Sequence, residues 1–128
     1  MYKYSLRTDS QGLYDITKEV KDAVYDSGKR EGICVVYCPH TTAAITINEN
    51  CDDDVSKDII FGLNKVFPRF KEYKHDEGNS DGHIKSSLVG ASETLIIDNY
   101  KLVLGTWQGV FFAEFDPPRN RTFYVKII

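Results

Sequence analysis

Residues 33–48 read Ile-Cys-Val-Val-Tyr-Cys-Pro-His-Thr-Thr-Ala-Ala-Ile-Thr-Ile-Asn, and the reading of this stretch decides the fold. Residues 33–38 show no polar alternation, the pattern of a central strand covered on both faces. Pro39 interrupts the run, and extended character resumes after His40-Thr41-Thr42. In residues 43–48, Ile45 and Ile47 oppose Ala44, Thr46 and Asn48, and small or polar residues on one strand face leave room for something to approach. Cys34 and Cys38 share a face of the first strand. They read as small buried hydrophobes rather than ligands, since no Cys-x-x-Cys spacing is present.

Upstream, residues 2–8 alternate Tyr2, Tyr4, Leu6 against Lys3, Ser5, Arg7, the period of a half-buried strand. Gln11-Gly12 makes a turn. Ile16, Val20, Ala23 and Val24 then repeat at helical spacing, with Thr17 as N-cap and Gly28 as stop. Downstream, Asn50 or Asp52 caps a second helix with the stripe Val55, Ile59, Leu63, Val66, ending at Phe67-Pro68; Asp52, Asp53 and Asp54 suit the positive end of its dipole. A short third helix follows Asp81-Gly82 and closes at Gly90. Residues 94–97 and 102–104 flank the tight turn Asp98-Asn-Tyr-Lys101, and two further extended runs, 110–115 and 122–128, complete what reads as a meander. The fold class is therefore α+β: one domain over residues 1–128, a largely antiparallel sheet of six to eight strands, two main helices and one short helix.

A chain of 128 residues with 41% hydrophobic and 27% charged composition fits one soluble domain. Its net charge of −3 argues against a general nucleic-acid binder. No apolar run approaches the ~20 residues that span a bilayer, and the N-terminus alternates like a strand rather than a signal peptide, so no membrane association and a cytoplasmic location are expected. Three cysteines, an odd number without paired spacing, suit a reducing compartment.

The stretch from Tyr73 to Gly90 carries the polar residues a core does not need. His75 and His83 stand eight positions apart, with Asp76, Glu77, Asn79, Ser80 and Asp81 between them, and Gly78 and Gly82 permit turns that fold both rings toward one point. The helix start that follows offers free N–H groups, and Lys85 lies near it, so an oxyanion or phosphate could dock there. His40, His75 and His83 together match the three-imidazole composition of a zinc or other transition-metal site, with Glu77 or Asp81 as ligand or support. Glu114, on a strand face with Val110 and Phe112, binds a ligand, is paired with Arg119 or Arg121, or reaches the edge of the sheet, since burying its charge alone costs several kcal/mol. Trp107 and Gln108, between two glycines, suit a flat recognition wall or a core tryptophan at a strand entry.

Four ordered motifs, His40-Thr-Thr-Ala-Ala-Ile-Thr-Ile-Asn-Glu49, His75-Asp-Glu-Gly-Asn-Ser-Asp-Gly-His-Ile-Lys-Ser-Ser-Leu-Val-Gly90, Leu104-Gly-Thr-Trp-Gln-Gly109 and Glu114-Phe-Asp-Pro-Pro-Arg119, closely resemble the YjbQ family, described as secondary thiamine-phosphate synthases. Gly82 and Pro117 depart from the residues expected there, and neither change removes a chemical group. The resemblance implies a homotrimer with the motifs gathered in a pocket near a subunit boundary. It also implies a transferase that joins a hydroxymethylpyrimidine diphosphate to a thiazole phosphate, releasing pyrophosphate. In such chemistry a divalent metal, Lys85, Arg119 and a helix N-terminus would neutralise the leaving group. Magnesium is expected for turnover, with Glu49, Asp52 and Glu77 as its candidate ligands. Glu114 completes the catalytic set. Trp107 would stack on the pyrimidine, Asn48 or Gln108 would read its edge, and Thr41, Thr42, Asn79 and Ser86 complete the substrate-binding set.

Two other functions use the same residues. A metal-dependent hydrolase would hold its metal on the three histidines, with Glu77 as general base. A ligand-binding oligomeric protein would use the polar loops to hold subunits together.

Overall fold

A computed structural model describes residues 1–128 as three layers: a five-stranded sheet, a three-stranded sheet and a pair of helices. The chain runs β1 (Tyr2–Thr8), β2 (Gly12–Asp15), α1 (Thr17–Ser27), β3 (Gly32–Tyr37), β4 (Ala43–Glu49), α2 (Asp53–Val66) and α3 (Ser80–Val89). It continues as β5 (Ser92–Asp98), β6 (Lys101–Leu102), β7 (Gln108–Glu114) and β8 (Arg119–Ile127). The larger sheet has the order β1-β8-β3-β5-β6 and the smaller β2-β7-β4, every pairing antiparallel. The α+β expectation of three helices and six to eight antiparallel strands holds, but the eight strands divide into two sheets rather than forming one.

The core lies between the sheets. Cys34 and Val36 from β3, Leu95 and Ile97 from β5, and Phe123 and Val125 from β8 meet Ile45 of β4 and Val110 and Phe112 of β7. Helix α1 adds Val20, Ala23 and Val24, the stripe its periodicity requires, and stops at Gly28 in the left-handed conformation. On the far face of the small sheet, Ala44, Ala113 and Phe115 pack against Ile60 and Leu63 of α2 and Val89 of α3. The small face of β4 therefore makes room for helices. Burial pushes the Cys34 and Cys38 thiols up to about 11, so both are inert hydrophobes.

Three expectations change. The strand covered on both faces is β7, buried from Gly109 to Glu114, whereas Ile33 and Tyr37 of β3 are 43% and 46% exposed. An unbroken apolar run states that both strand faces are apolar, and leaves open what covers them. The C-terminal third is no meander: β7 crosses to the smaller sheet and β8 inserts between β1 and β3. Gly12, read with Gln11 as a turn, instead opens a strand: Gly12–Asp15 form β2 against β7. Helix α2 has the Asp52 cap, whose side chain accepts from the Asp54 N–H at 2.9 Å, but of the predicted stripe Val55, Ile59 and Leu63 are half-buried and Val66 is exposed, and none of the helix's residues is buried. No helix is long and apolar enough to cross a membrane.

Candidate functional site

The polar residues converge where the start of α3 meets the turn between β7 and β8. The Gly78 N–H donates to the His75 carbonyl at 3.0 Å, with Gly78 at φ 72°, and this turn folds the loop back over α3. The rings of His75 and His83 consequently lie 5.3 Å apart, edge to face. His75 Nε2 is 3.9 Å from Glu77 Oε1. Asn79 donates to Glu77 at 3.4 Å and to Asp116 at 2.8 Å, and Asp116 fixes the Arg119 guanidinium at 2.8 Å. Burial acts to raise the Asp116 carboxyl, but the bonds from Asn79 and Arg119 outweigh it and hold it below the usual range. A continuous chain of contacts thus runs from an exposed and a half-buried imidazole to a half-exposed arginine.

Gly82 serves a different purpose from the expected turn. It sits inside α3, where a Cβ would come within 3.1 Å of the Phe115 carbonyl oxygen and 3.4 Å of Thr42. Its bare backbone lets the helix lie close on the strand ends. The helix N-cap is Asn79 rather than Asp81 or Gly82, and its side chain bonds Asp116 instead of capping.

Lys85 is not a free phosphate ligand at the helix start. It is 1% exposed, and its ammonium donates to Asn64 at 2.5 Å and to Asp81 at 3.4 Å. Asn64 in turn exchanges amide bonds with Gln11 at 3.0 Å, so this cluster ties α2, α3 and the approach to β2 together. Arg69, which nothing in the pattern singled out, lies 3.3 Å from Asp81 at the surface.

Beneath the open cluster lies a closed one. Glu114 is fully buried and accepts from Arg121 at 2.7 and 2.6 Å, from Thr8 at 2.5 Å and from the Asp116 N–H at 2.8 Å. Arg121 also reaches Thr42 Oγ1 at 2.9 Å. Burial would raise the Glu114 carboxyl; these donors and the Arg121 charge together keep it below its ordinary value. The paired alternative for Glu114 is the one realised, with Arg121 and not Arg119. Thr42 and Ser86, expected at the substrate, are structural contacts here, Ser86 donating to the Ala43 carbonyl at 2.7 Å. Thr41 is exposed.

His40 stands apart from the other two histidines. Its Nε2 accepts the Thr122 N–H at 2.9 Å, and burial followed by the Arg121 charge lowers its proton affinity. No three His, Cys, Asp or Glu side chains are grouped so as to hold a metal ion, so the expected three-histidine centre does not assemble. The remaining predicted residues occupy the other end of the small sheet. Asn48 pairs with Gly109 and Glu49 with Gln108, the latter six positions from the Ala43–Glu114 pair, which at about 3.3 Å per residue places them some 20 Å away. Trp107, 60% exposed, lies at that end and not over the histidines.

The sequence profile of the family described as "UPF0047 protein YjbQ-like" matches residues 2–128. The UPF0047 protein of Methanocaldococcus jannaschii is 55% identical over 129 residues, covering 100% of this chain and 94% of that protein. YugU of Bacillus subtilis is 49% identical over 122 residues, covering 94% and 92%. A solved YjbQ/UPF0047 structure from Clostridium acetobutylicum superposes with a TM-score of 0.98 at 57% identity, over the whole of both chains. A conserved hypothetical protein from Thermus thermophilus gives 0.92 at 35% identity, again over both whole chains. These relatives are described by family alone, and the histidine metal centre is missing from the fold, so the thiamine-phosphate synthase transferase and the three-histidine hydrolase are both set aside. What the motifs and the superposition do establish is kinship: this chain belongs to the YjbQ-like UPF0047 family.

Proposed function

We propose that the chain is an enzyme acting on a phosphorylated small molecule, with His75 and His83 transferring protons and Arg119 holding the phosphate. The observation that carries this reading is the 5.3 Å pairing of the exposed His75 imidazole with the half-buried His83 imidazole. Imidazole takes and gives protons near neutral pH, so two side by side can serve adjacent atoms of one ligand as acid and base. Arg119 retains unpaired N–H donors on a guanidinium oriented by Asp116, and such a fork suits phosphate oxygens. Glu77, 3.9 Å from His75, would orient that ring.

Assembly as a homotrimer is part of the proposal. It is supported by the uncovered apolar face of the larger sheet, where Ile33, Tyr37 and Ile96 are each at least 43% exposed. Light scattering at three times the 14.6 kDa chain mass is the expected result. A cytoplasmic location is supported by three free cysteines.

The test is a ³¹P NMR screen of phosphorylated small molecules, with and without magnesium, against the native chain and the His75→Gln, His83→Gln and Arg119→Ala variants. One class of phosphate compound should be consumed. Each histidine variant should lower turnover by about 100-fold or more. Arg119→Ala should raise KM more than it lowers kcat. Turnover that survives both histidine variants, or no consumption of any compound, overturns the reading.

A further inference from the structure

We propose a second site, unrelated to the histidines: the cavity between β2 and α2 binds a small organic amine with an apolar body. The cavity measures about 370 Å³, within the roughly 300–1,000 Å³ typical of small-molecule sites. Its floor is apolar, built from Leu13, Ile60 and Phe111, and its rim carries Asp15, Asn50, Asp53 and Lys57. It exists because α2 lies loosely on the small sheet, burying none of its own residues.

Two rim groups are held in advance. Asp15 Oδ1 accepts from the Thr17 N–H at 2.9 Å and the Thr17 hydroxyl at 2.5 Å, and that hydroxyl itself accepts the Val110 N–H at 2.9 Å. This leaves Asp15 Oδ2, touched by the Asn50 amide at 3.3 Å, as the accessible oxygen. Asn50 is seated directly on Gly109, where any Cβ would lie 2.7 Å from Asn50 Cγ and 2.8 Å from its Cβ. A backbone kept bare so that one surface amide can lie flat, and a carboxylate held by Thr17 on one oxygen and Asn50 on the other, fit a preorganised recognition group better than a solvated edge. Asp15 and Asp53 oppose Lys57, leaving one unmatched negative charge beside an apolar floor. An ammonium with an apolar body complements both.

The probe is phenethylamine, titrated into the ¹⁵N-labelled chain and followed by NMR, with phenethyl alcohol and 3-phenylpropionate as neutral and anionic counterparts. Saturable shifts at Gly12, Leu13, Ser56 and Ile60 are expected below about 5 mM amine, a modest affinity for a ligand of this size. The alcohol should bind about tenfold more weakly, and the acid not at all. Asp53→Asn, which leaves the Asp52 cap intact, should weaken the amine about threefold, and Lys57→Ala should tighten it. Asp15→Asn should weaken it most; if that variant unfolds through loss of the Thr17 bond, Asp53→Asn and Lys57→Ala carry the test. Absence of saturable shifts, equal binding of amine and alcohol, or indifference to both charge variants overturns the proposal.

Discussion

Two carboxylate–guanidinium pairs arise within eight residues of each other, Glu114 with Arg121 and Asp116 with Arg119, and they do opposite things. The side chains of Glu114 and Arg121 are 0% and 5% exposed, and their bonds to Thr8 and Thr42 fasten the ends of β1 and β8 to those of β7 and β4. The side chains of Asp116 and Arg119 are 10% and 47% exposed, and the arginine faces outward with donors to spare. The chemistry of the pairs is the same and the burial differs. In the closed pair every lone pair is committed, so it holds the sheets together; in the open pair one partner is fixed so that the other can meet a ligand.

Removing one arginine at a time is the strongest way to break that comparison. Arg121→Met leaves the Glu114 charge buried without its counter-ion and should cost about 3–5 kcal/mol, read from the urea unfolding midpoint. Arg119→Met should cost no more than about 1 kcal/mol, because the pair is half in water. Equal losses would mean that the two pairs share one role.

Acid sharpens the same contrast. Both carboxyls have their folded values depressed, so the unfolded chain binds more protons as the pH falls. The stability they contribute is present above their unfolded values, about 4.3 for Glu and 3.9 for Asp, and is lost as the pH drops through the folded ones. Urea midpoints at pH 7, 5, 4 and 3 should ease by a small step between pH 7 and 5, which His40 sets, and fall more steeply below pH 5 as the two carboxyls titrate. Glu114→Gln, already weaker at pH 7, should show a shallower fall, since it lacks one of the titrating groups.

How much of this was legible depends on what each residue's role requires. Helices α1 and α2, the hairpin at Asn99 and the Asp52 cap follow from local spacing and turn chemistry, and they stand where the pattern puts them. Glu114 announced itself as a carboxylate on an apolar face, which must be paired. Sheet partnership was not legible, because β7 and β3 are both apolar runs and only tertiary packing decides which is covered twice. For the same reason motif membership was a poor guide to location. Trp107 and Gln108 belong with the histidines as ordered motifs along the chain, yet the β4–β7 ladder holds them at its opposite end. The His75–His83 pairing was legible through Gly78; the separation of His40 was not, since it depends on a long-range bond to Thr122.

The histidines repeat the contrast between closed and open at a smaller scale. His40 gives its Nε2 to the Thr122 N–H, and His40→Leu strands that donor, so a loss of about 1–3 kcal/mol is expected in urea unfolding. Its lowered proton affinity has the same sign as the carboxyls: the neutral ring is the folded form, and its contribution is complete above the unfolded value near 6.5 and declines below it.

His75 and His83 should behave otherwise. No backbone donor depends on their ring nitrogens, and the ring of His75 is 44% exposed, so His75→Gln and His83→Gln should each change stability by less than about 0.5 kcal/mol. The double variant should show only the sum of the two, because edge-to-face contact of two accessible rings contributes little in water. Ring-proton NMR should nevertheless register the pairing, with each single variant shifting the resonances of the histidine that remains. A double variant that unfolds would make this pair a structural clasp like Glu114 with Arg121. A stable double variant whose lone-histidine parents leave each other's resonances unmoved would show that the rings do not meet in solution, and the open cluster would lose its acid–base reading.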